Sequence, residues 1–192
     1  MKNNRLAFAL FLAFPVLFAC ASSSSIEESK SEEIEERLEE NETRVKVESG
    51  KAKVYWNASG YDGFEVYGSE SKYGNYRLIS GDVPIKESHF VTPSYRYGYY
   101  KVLGVKGSEK IEFGGTSSVF GDEALIVSSG DDMAKVQAEI EERHSHLESS
   151  WEGQFSSSRF AALFYPGAYP DIEMKLGYYS SALGLGATPY AT

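Results

Sequence analysis

The chain has 192 residues and a formal charge of −9, from 28 acidic and 19 basic side chains. That balance argues against nucleic acid as a partner, because nucleic-acid binding requires a basic surface. A single cysteine, Cys20, excludes any disulfide within one molecule, so an oxidising compartment offers this chain no covalent staple.

Lys2 and Arg5 precede an apolar run over residues 6–18 that is broken only by Pro15. A membrane span needs about 20 apolar residues, so the run has the proportions of a signal-peptide core. Leu17-Phe18-Ala19-Cys20 then resembles the lipobox of bacterial lipoproteins, with Phe18 bulkier than the residue usual in that family. The resemblance implies cleavage before Cys20 and attachment of lipid to it. Residues 1–19 are thus expected to be a lipoprotein signal peptide, and the mature chain a lipid-anchored protein of the cell envelope. Ala21, where an aspartate would otherwise stand, resembles the pattern of lipoproteins sent to the outer membrane or surface of cells with two membranes. Removal of Lys2 and Arg5 makes the mature chain about two units more negative.

Residues 20–42 are expected to be a tether and spacer. Ala21 and four serines follow the cysteine, a small, polar stretch suited to flexibility. Between residues 26 and 42 stand nine glutamates (27, 28, 32, 33, 35, 36, 39, 40 and 42) against Lys30 and Arg37. Ile26, Ile34 and Leu38 make too thin an apolar stripe for a core-facing helix. The segment reads as a solvated spacer. A calcium or cationic-partner site is the sharper alternative, without ligand spacing to support it.

From residue 43 the texture turns to tyrosine, phenylalanine, valine and glycine. Short strands are predicted over 44–47, 52–56, 64–67, 76–79, 89–91, 99–105 and 117–120, separated by turn signals and by no helical period. Seven such strands indicate an antiparallel β-sandwich over residues 43–120. Alternation places Val54 and Trp56 on one inner face, and Phe64 and Val66 on the face that meets them. Trp56, the Phe64-Glu65-Val66 phrase, and Tyr100 and Val102 before Gly104 resemble a fibronectin type III domain. The tyrosine corner of that family falls on Gly98 here, between Tyr97 and Tyr99. The resemblance implies a spacer or binding module and brings no chemistry. Tyr95, Tyr97 and Tyr99, with Tyr100 beside them, are candidate carbohydrate-contact aromatics, although alternation along a strand sends some of them inward.

Residues 121–192 form a second region. A strand is predicted over 123–127, then a helix from near Asp132, capped by Asp131 or Ser129. Met133, Val136, Ile140 and His144 make its apolar stripe, and Lys135, Glu139, Glu141 and Glu142 its polar face. His144 and His146 lie two apart, so on a helix they point in different directions and share an ion poorly. No metal or cofactor is expected. Arg159 to Tyr169 with its Pro166-Gly167 turn, an alternating strand from Ile172 to Leu176, and Leu183 to Pro189 suggest successive edges of one coil, Leu163 to Tyr169 and Leu183 to Pro189 being its two strand phrases. Gly184-Leu185-Gly186 lacks the glycine spacing, lysine and helix of a phosphate loop. These phrases resemble the opening of right-handed parallel β-helix proteins of the pectin-lyase-like kind, in which a helix caps the open end of the coil.

The expected fold is therefore mainly β: a fibronectin type III-like antiparallel β-sandwich, then a capping α-helix and the first coil of a parallel β-helix. A β-helix needs several stacked coils, and the first coil here is followed by Thr192. No nucleophile, base and orienting group converge in the sequence. Asp171 and Glu173 are the carboxylates near the coil, at a turn where such a pair is solvated. No catalytic residue is assigned. The expected function is a non-catalytic display or binding module on the membrane, with a polysaccharide or an envelope protein as partner. The alternative is the N-terminal fragment of a polysaccharide-cleaving β-helix enzyme, a lyase or glycoside hydrolase, whose catalytic coils are missing.

Overall fold

A computed structural model of the chain describes residues 38–92, 96–147 and 151–187. Cys20, its neighbours Leu17, Phe18 and Ala19, and Tyr95 lie outside the described residues. The described residues belong to one compact unit.

Alternating apolar side chains produce seven strands in the first part of the chain. They are β1 (Glu42–Glu48), β2 (Lys51–Asn57), β3 (Gly63–Ser69), β4 (Arg77–Leu78), β5 (His89–Val91), β6 (Tyr99–Lys106) and β7 (Glu109–Ser118). They pair as two antiparallel sheets, ordered β1-β2-β5 and β4-β3-β6-β7. Between the sheets lie Ala52, Val54 and Trp56 from one side and Phe64, Val66, Tyr100, Val102 and Phe113 from the other. The alternation of Val54 and Trp56 against Phe64 and Val66 is therefore realised. Rings meet closely there: Trp56 and Phe64 lie 5.3 Å apart, and Tyr61 stacks on Phe113 at 5.6 Å. The Ser117 hydroxyl donates to the Thr43 carbonyl at 2.7 Å, linking β7 to β1 along one side of the sandwich.

Two expectations need correction here. β7 begins at Glu109, eight residues before the predicted start, because only Phe113 and Ser117 on it are buried and its first four residues, three of them charged, are exposed. Leu38, read as part of the solvated spacer, is buried, and its carbonyl accepts from the Asn57 amide at 2.9 Å. The last spacer residues thus meet the folded unit before β1. At the tyrosine-corner position, a Cβ on Gly98 would lie 2.8 Å from the Ile126 side chain. Glycine stands there to admit a residue of the next region.

That region contains β8 (Ala124–Val127), α1 (Met133–His146), α2 (Trp151–Gln154), β9 (Phe160–Phe164) and β10 (Ser180–Gly184). Its sheet is parallel throughout, in the order β10-β9-β8. Phe160 faces Ser180 and Phe164 faces Gly184, so β9 and β10 are stacked at a constant offset along the chain. Leu125, Val127, Val136, Ile140, Leu147, Phe160 and Ala162 form a second core under α1. No helix among the described residues is long and apolar enough to cross a membrane.

Local details differ from expectation. β9 begins at Phe160, inside the predicted phrase, whereas β10 begins at Ser180, three residues earlier than predicted. Residues 172–176 form no strand. Their alternation is real, since Ile172 and Met174 pack on the second core, but the partner is a helix. The Gln137 amide donates to the Glu173 carbonyl at 3.1 Å and accepts from the Glu173 N–H at 2.9 Å, supplying the bonds a neighbouring strand would. The N-cap of α1 is Asp132, whose carboxylate accepts from the Lys135 N–H. Asp131 is left free for another task. On α1 itself, Val136 and Ile140 are buried as expected, Met133 and His144 only half-buried, and Glu139 is buried rather than on the polar face.

Candidate functional site

The site lies where the sandwich meets the second region, and three contacts build that junction. The first comes from β6. Tyr99 is buried, and its hydroxyl accepts from the Ile126 N–H at 2.9 Å and donates to the Ala124 carbonyl at 3.1 Å. These are groups on the β8 edge that faces away from β9, so a tyrosine satisfies backbone that would otherwise be unpaired. Burial pushes the Tyr99 phenol up to about 12 despite the bond from Ile126.

The second contact is Glu139. Its Oε1 accepts from Lys72 at 2.8 Å and from Arg143 at 2.6 Å, and its Oε2 accepts from the Tyr73 hydroxyl at 2.7 Å. Lys72 and Tyr73 belong to the β3–β4 connection, so the carboxylate ties α1 to the sandwich. Burial opposes its charge, but the bonds from Lys72, Tyr73 and Arg143 outweigh burial and hold the carboxyl below its usual range. Burial and the bond to Glu139 raise the Tyr73 phenol.

The third contact is Asp131. It accepts from the Ser71 hydroxyl at 2.6 Å and from the Ser128 N–H at 3.0 Å, joining the β3–β4 connection to the loop before α1. Burial raises its carboxyl above the usual value, against the effect of those two bonds.

Beside Asp131 the two regions leave a cleft of about 200 Å³, edged by Glu70, Asn75, Arg77, Tyr97 and Ser128. The Tyr97 ring rests over Gly68, where a Cβ would stand 2.6 Å away, and meets Tyr100 edge-on at 6.5 Å. Arg96 lies 5.8 Å from the ring centroid and 4.0 Å from the Glu70 carboxylate. The Asn75 amide, the Arg77 guanidinium and the Tyr97 hydroxyl have no hydrogen-bond partner among the described residues. Side chains whose donors and acceptors are not used up by the described residues thus line one cleft beside an aromatic residue. Such an arrangement suits a small polar ligand carrying both kinds of group.

The sequence candidates are distributed unevenly around this site. Tyr97 lines the cleft, whereas Tyr99 is 2% exposed and Tyr100 fully buried. Tyr97 and Tyr99 are not brought onto one open face. Asp171 and Glu173 are exposed, with Glu173 only 3.9 Å from Lys175, and are not aimed into a shared pocket. His144 Nδ1 is buried without a partner while His146 is exposed, and no group of three metal-ligating side chains occurs among the described residues. Sequence reasoning missed Glu139, Asp131, Asn75 and Arg77. For Glu139 a signal existed, because it lies three residues from Val136 and four from Arg143, within reach of both rows on the helix surface. Asn75 sits in the irregular connection before β4 and Arg77 in that two-residue strand, and neither carries a local signal.

No family model matches the chain. A stretch of 54 residues is 39% identical to an exo-beta-1,3-glucanase of Streptomyces sp. (strain SirexAA-E / ActE), covering 28% of this chain and 8% of that protein. An Fn3-like protein from Clostridium thermocellum overlaps in structure with a TM-score of 0.35 and 21% identity, over 39% of this chain and 82% of that one.

Proposed function

We propose that the chain is a non-catalytic, carbohydrate-associated module, held at the cell envelope by lipid on Cys20 and carried on its Ser-rich tether and acidic spacer. The observation that carries the reading is the junction cleft, with unspent polar groups of Asn75, Arg77 and Tyr97 gathered beside a ring. The short stretch of identity to a β-1,3-glucanase supports the same substrate class. Binding rather than cleavage fits the carboxylates. Glycoside hydrolysis uses a pair flanking the scissile bond, but Asp131 is occupied by Ser71 and Ser128, and Glu70 leans toward Arg96.

The test is affinity electrophoresis of the full chain in detergent through gels containing β-1,3-glucan, other neutral glucans or pectic polymers. Reducing-sugar release is measured in parallel. Retardation by a glucan without sugar release is the expected result. Unretarded migration in every gel sinks the proposal, and so does steady release of sugar.

A second reading is favoured by one observation. β9 and β10 stack in parallel, and Leu183 and Leu185 on and after the outer strand are 53% and 41% exposed, a surface that a further coil would cover. On this reading the chain opens a polysaccharide-cleaving β-helix enzyme. The DNA beyond the codon for Thr192 decides it: an adjoining frame encoding more Gly-rich strands favours the enzyme, and intergenic sequence counts against it.

A further inference from the structure

Resting on the carbohydrate reading, we infer that the junction cleft is a site for one uncharged sugar residue, such as the end unit of a neutral glucan, and that it discriminates against uronate polymers. Three features carry this. The first is size: a cleft of about 200 Å³ has room for a single sugar ring. The second is the mixture of groups. A sugar hydroxyl both donates and accepts, and the cleft offers both, with guanidinium donors from Arg77, an amide of each kind from Asn75, the Tyr97 hydroxyl and the Glu70 carboxylate. A neighbouring pair of hydroxyls can accept from Arg77 while donating to a carboxylate or to the Asn75 oxygen.

The third feature is charge. A uronate carboxylate only accepts hydrogen bonds, and it would enter a cleft already edged by the Glu70 and Asp131 carboxylates. Among the described residues Arg77 alone opposes them inside the cleft, because Arg96 lies against the Tyr97 ring and is shared with Glu70. The chain as a whole carries a formal charge of −9, which adds to the repulsion of a polyanion. The side chains of Arg77 and Asn75 are exposed and make no hydrogen bond or ion pair among the described residues, which suits residues kept for a ligand.

The experiment titrates the full chain in detergent with a short β-1,3-glucan oligosaccharide and, separately, with oligogalacturonate. The same titrations follow for Arg77→Ala, Asn75→Ala and Tyr97→Phe, each checked for an unchanged Tm. The expected result is binding of the neutral oligosaccharide, weakened about tenfold by Arg77→Ala or Asn75→Ala, with no measurable binding of the uronate. Binding of the neutral oligosaccharide that no cleft variant weakens overturns this inference and leaves the carbohydrate reading standing. Uronate binding as tight as glucan binding overturns the selectivity. If no carbohydrate binds the unaltered chain, the carbohydrate reading falls and this inference with it.

Discussion

The two regions bury their cores by different means. The sandwich is held by aromatic side chains from two sheets, and its strand edges are tied to each other, as at Ser117 and Thr43. The second region is an aliphatic layer between one helix and three parallel strands, with Leu125, Val127, Val136 and Ile140 at its centre. Its inner edge strand, β8, finds its missing backbone partner in a sandwich tyrosine, and its helix is pinned by a buried carboxylate to sandwich residues. These clamps run from sandwich side chains to the backbone and helix of the second region, so the second region is expected to lean on the sandwich. The cleft exists because the two are joined by polar clamps, which leave space around them, rather than by a continuous apolar seam.

That asymmetry can be broken from either side. The largest effect is expected from Trp56→Ala, which empties the centre of the sandwich and should cost about 3–5 kcal/mol. Because the second region leans on the sandwich, hydrogen exchange should show both regions losing protection together. Survival of α1 and β9 protection in this variant would contradict the dependence.

Glu139→Ala should act the other way round. It removes the acceptor of three donors and should cost about 3 kcal/mol, near the low end for a buried ion pair, since Lys72 and Arg143 are 30% and 25% exposed and can turn to water. Protection should fall in α1 first while β2, β3 and β6 keep theirs. Equal loss throughout would mean the regions form one cooperative block.

Acid should do reversibly what that mutation does permanently. The folded-state pKa of Glu139 is depressed, so its contribution is complete above the ordinary carboxylate range and is lost as pH falls through the folded value. Asp131 has the opposite sign. Its pKa is raised, so protonation relieves a cost and partly offsets the loss over the same descent. The net expectation is loosening of the second region below about pH 4, read by exchange at α1, with a flatter profile in Glu139→Gln. A profile unchanged by that substitution would remove Glu139 from the account.

The smallest effect is expected from Tyr99→Phe. It leaves the ring in place and strips the hydroxyl from the Ile126 N–H and Ala124 carbonyl, at a cost of about 1–3 kcal/mol for the backbone groups left buried without a partner. The change should appear as faster exchange at Ile126 with little change at Val102. Unaltered exchange at Ile126 would mean that water replaces the hydroxyl, and the β8 edge is less dependent on the sandwich than its geometry indicates.

Strand periodicity was legible wherever one face of a strand is buried and the other wet. Residues 52–56 and 99–105 show this, although Tyr55 between the inward Val54 and Trp56 is buried as well. β7 was shortened because most of its side chains face water. Residues 172–176 were read as a strand because alternation reports two faces, not the nature of the neighbour, and here the neighbour is a glutamine on α1. The tyrosine cluster was legible as chemistry but not as placement. Tyr97 and Tyr99 are two residues apart, yet one reaches the cleft and the other serves as a backbone partner for β8.

By itself the sequence determined the mainly β character of the chain, the inward faces of β2 and β3, and the existence and span of the helix, because these depend on the period of apolar residues along a local stretch. Only the tertiary structure decided that Glu139 is buried, that Gly98 makes room for Ile126, that Asp132 rather than Asp131 caps α1, and that Asn75, Arg77 and Tyr97 share one cleft. Those outcomes depend on which distant segments meet, and a side chain's partner across 60 residues of chain, as with Ser71 and Asp131, leaves no local period to read.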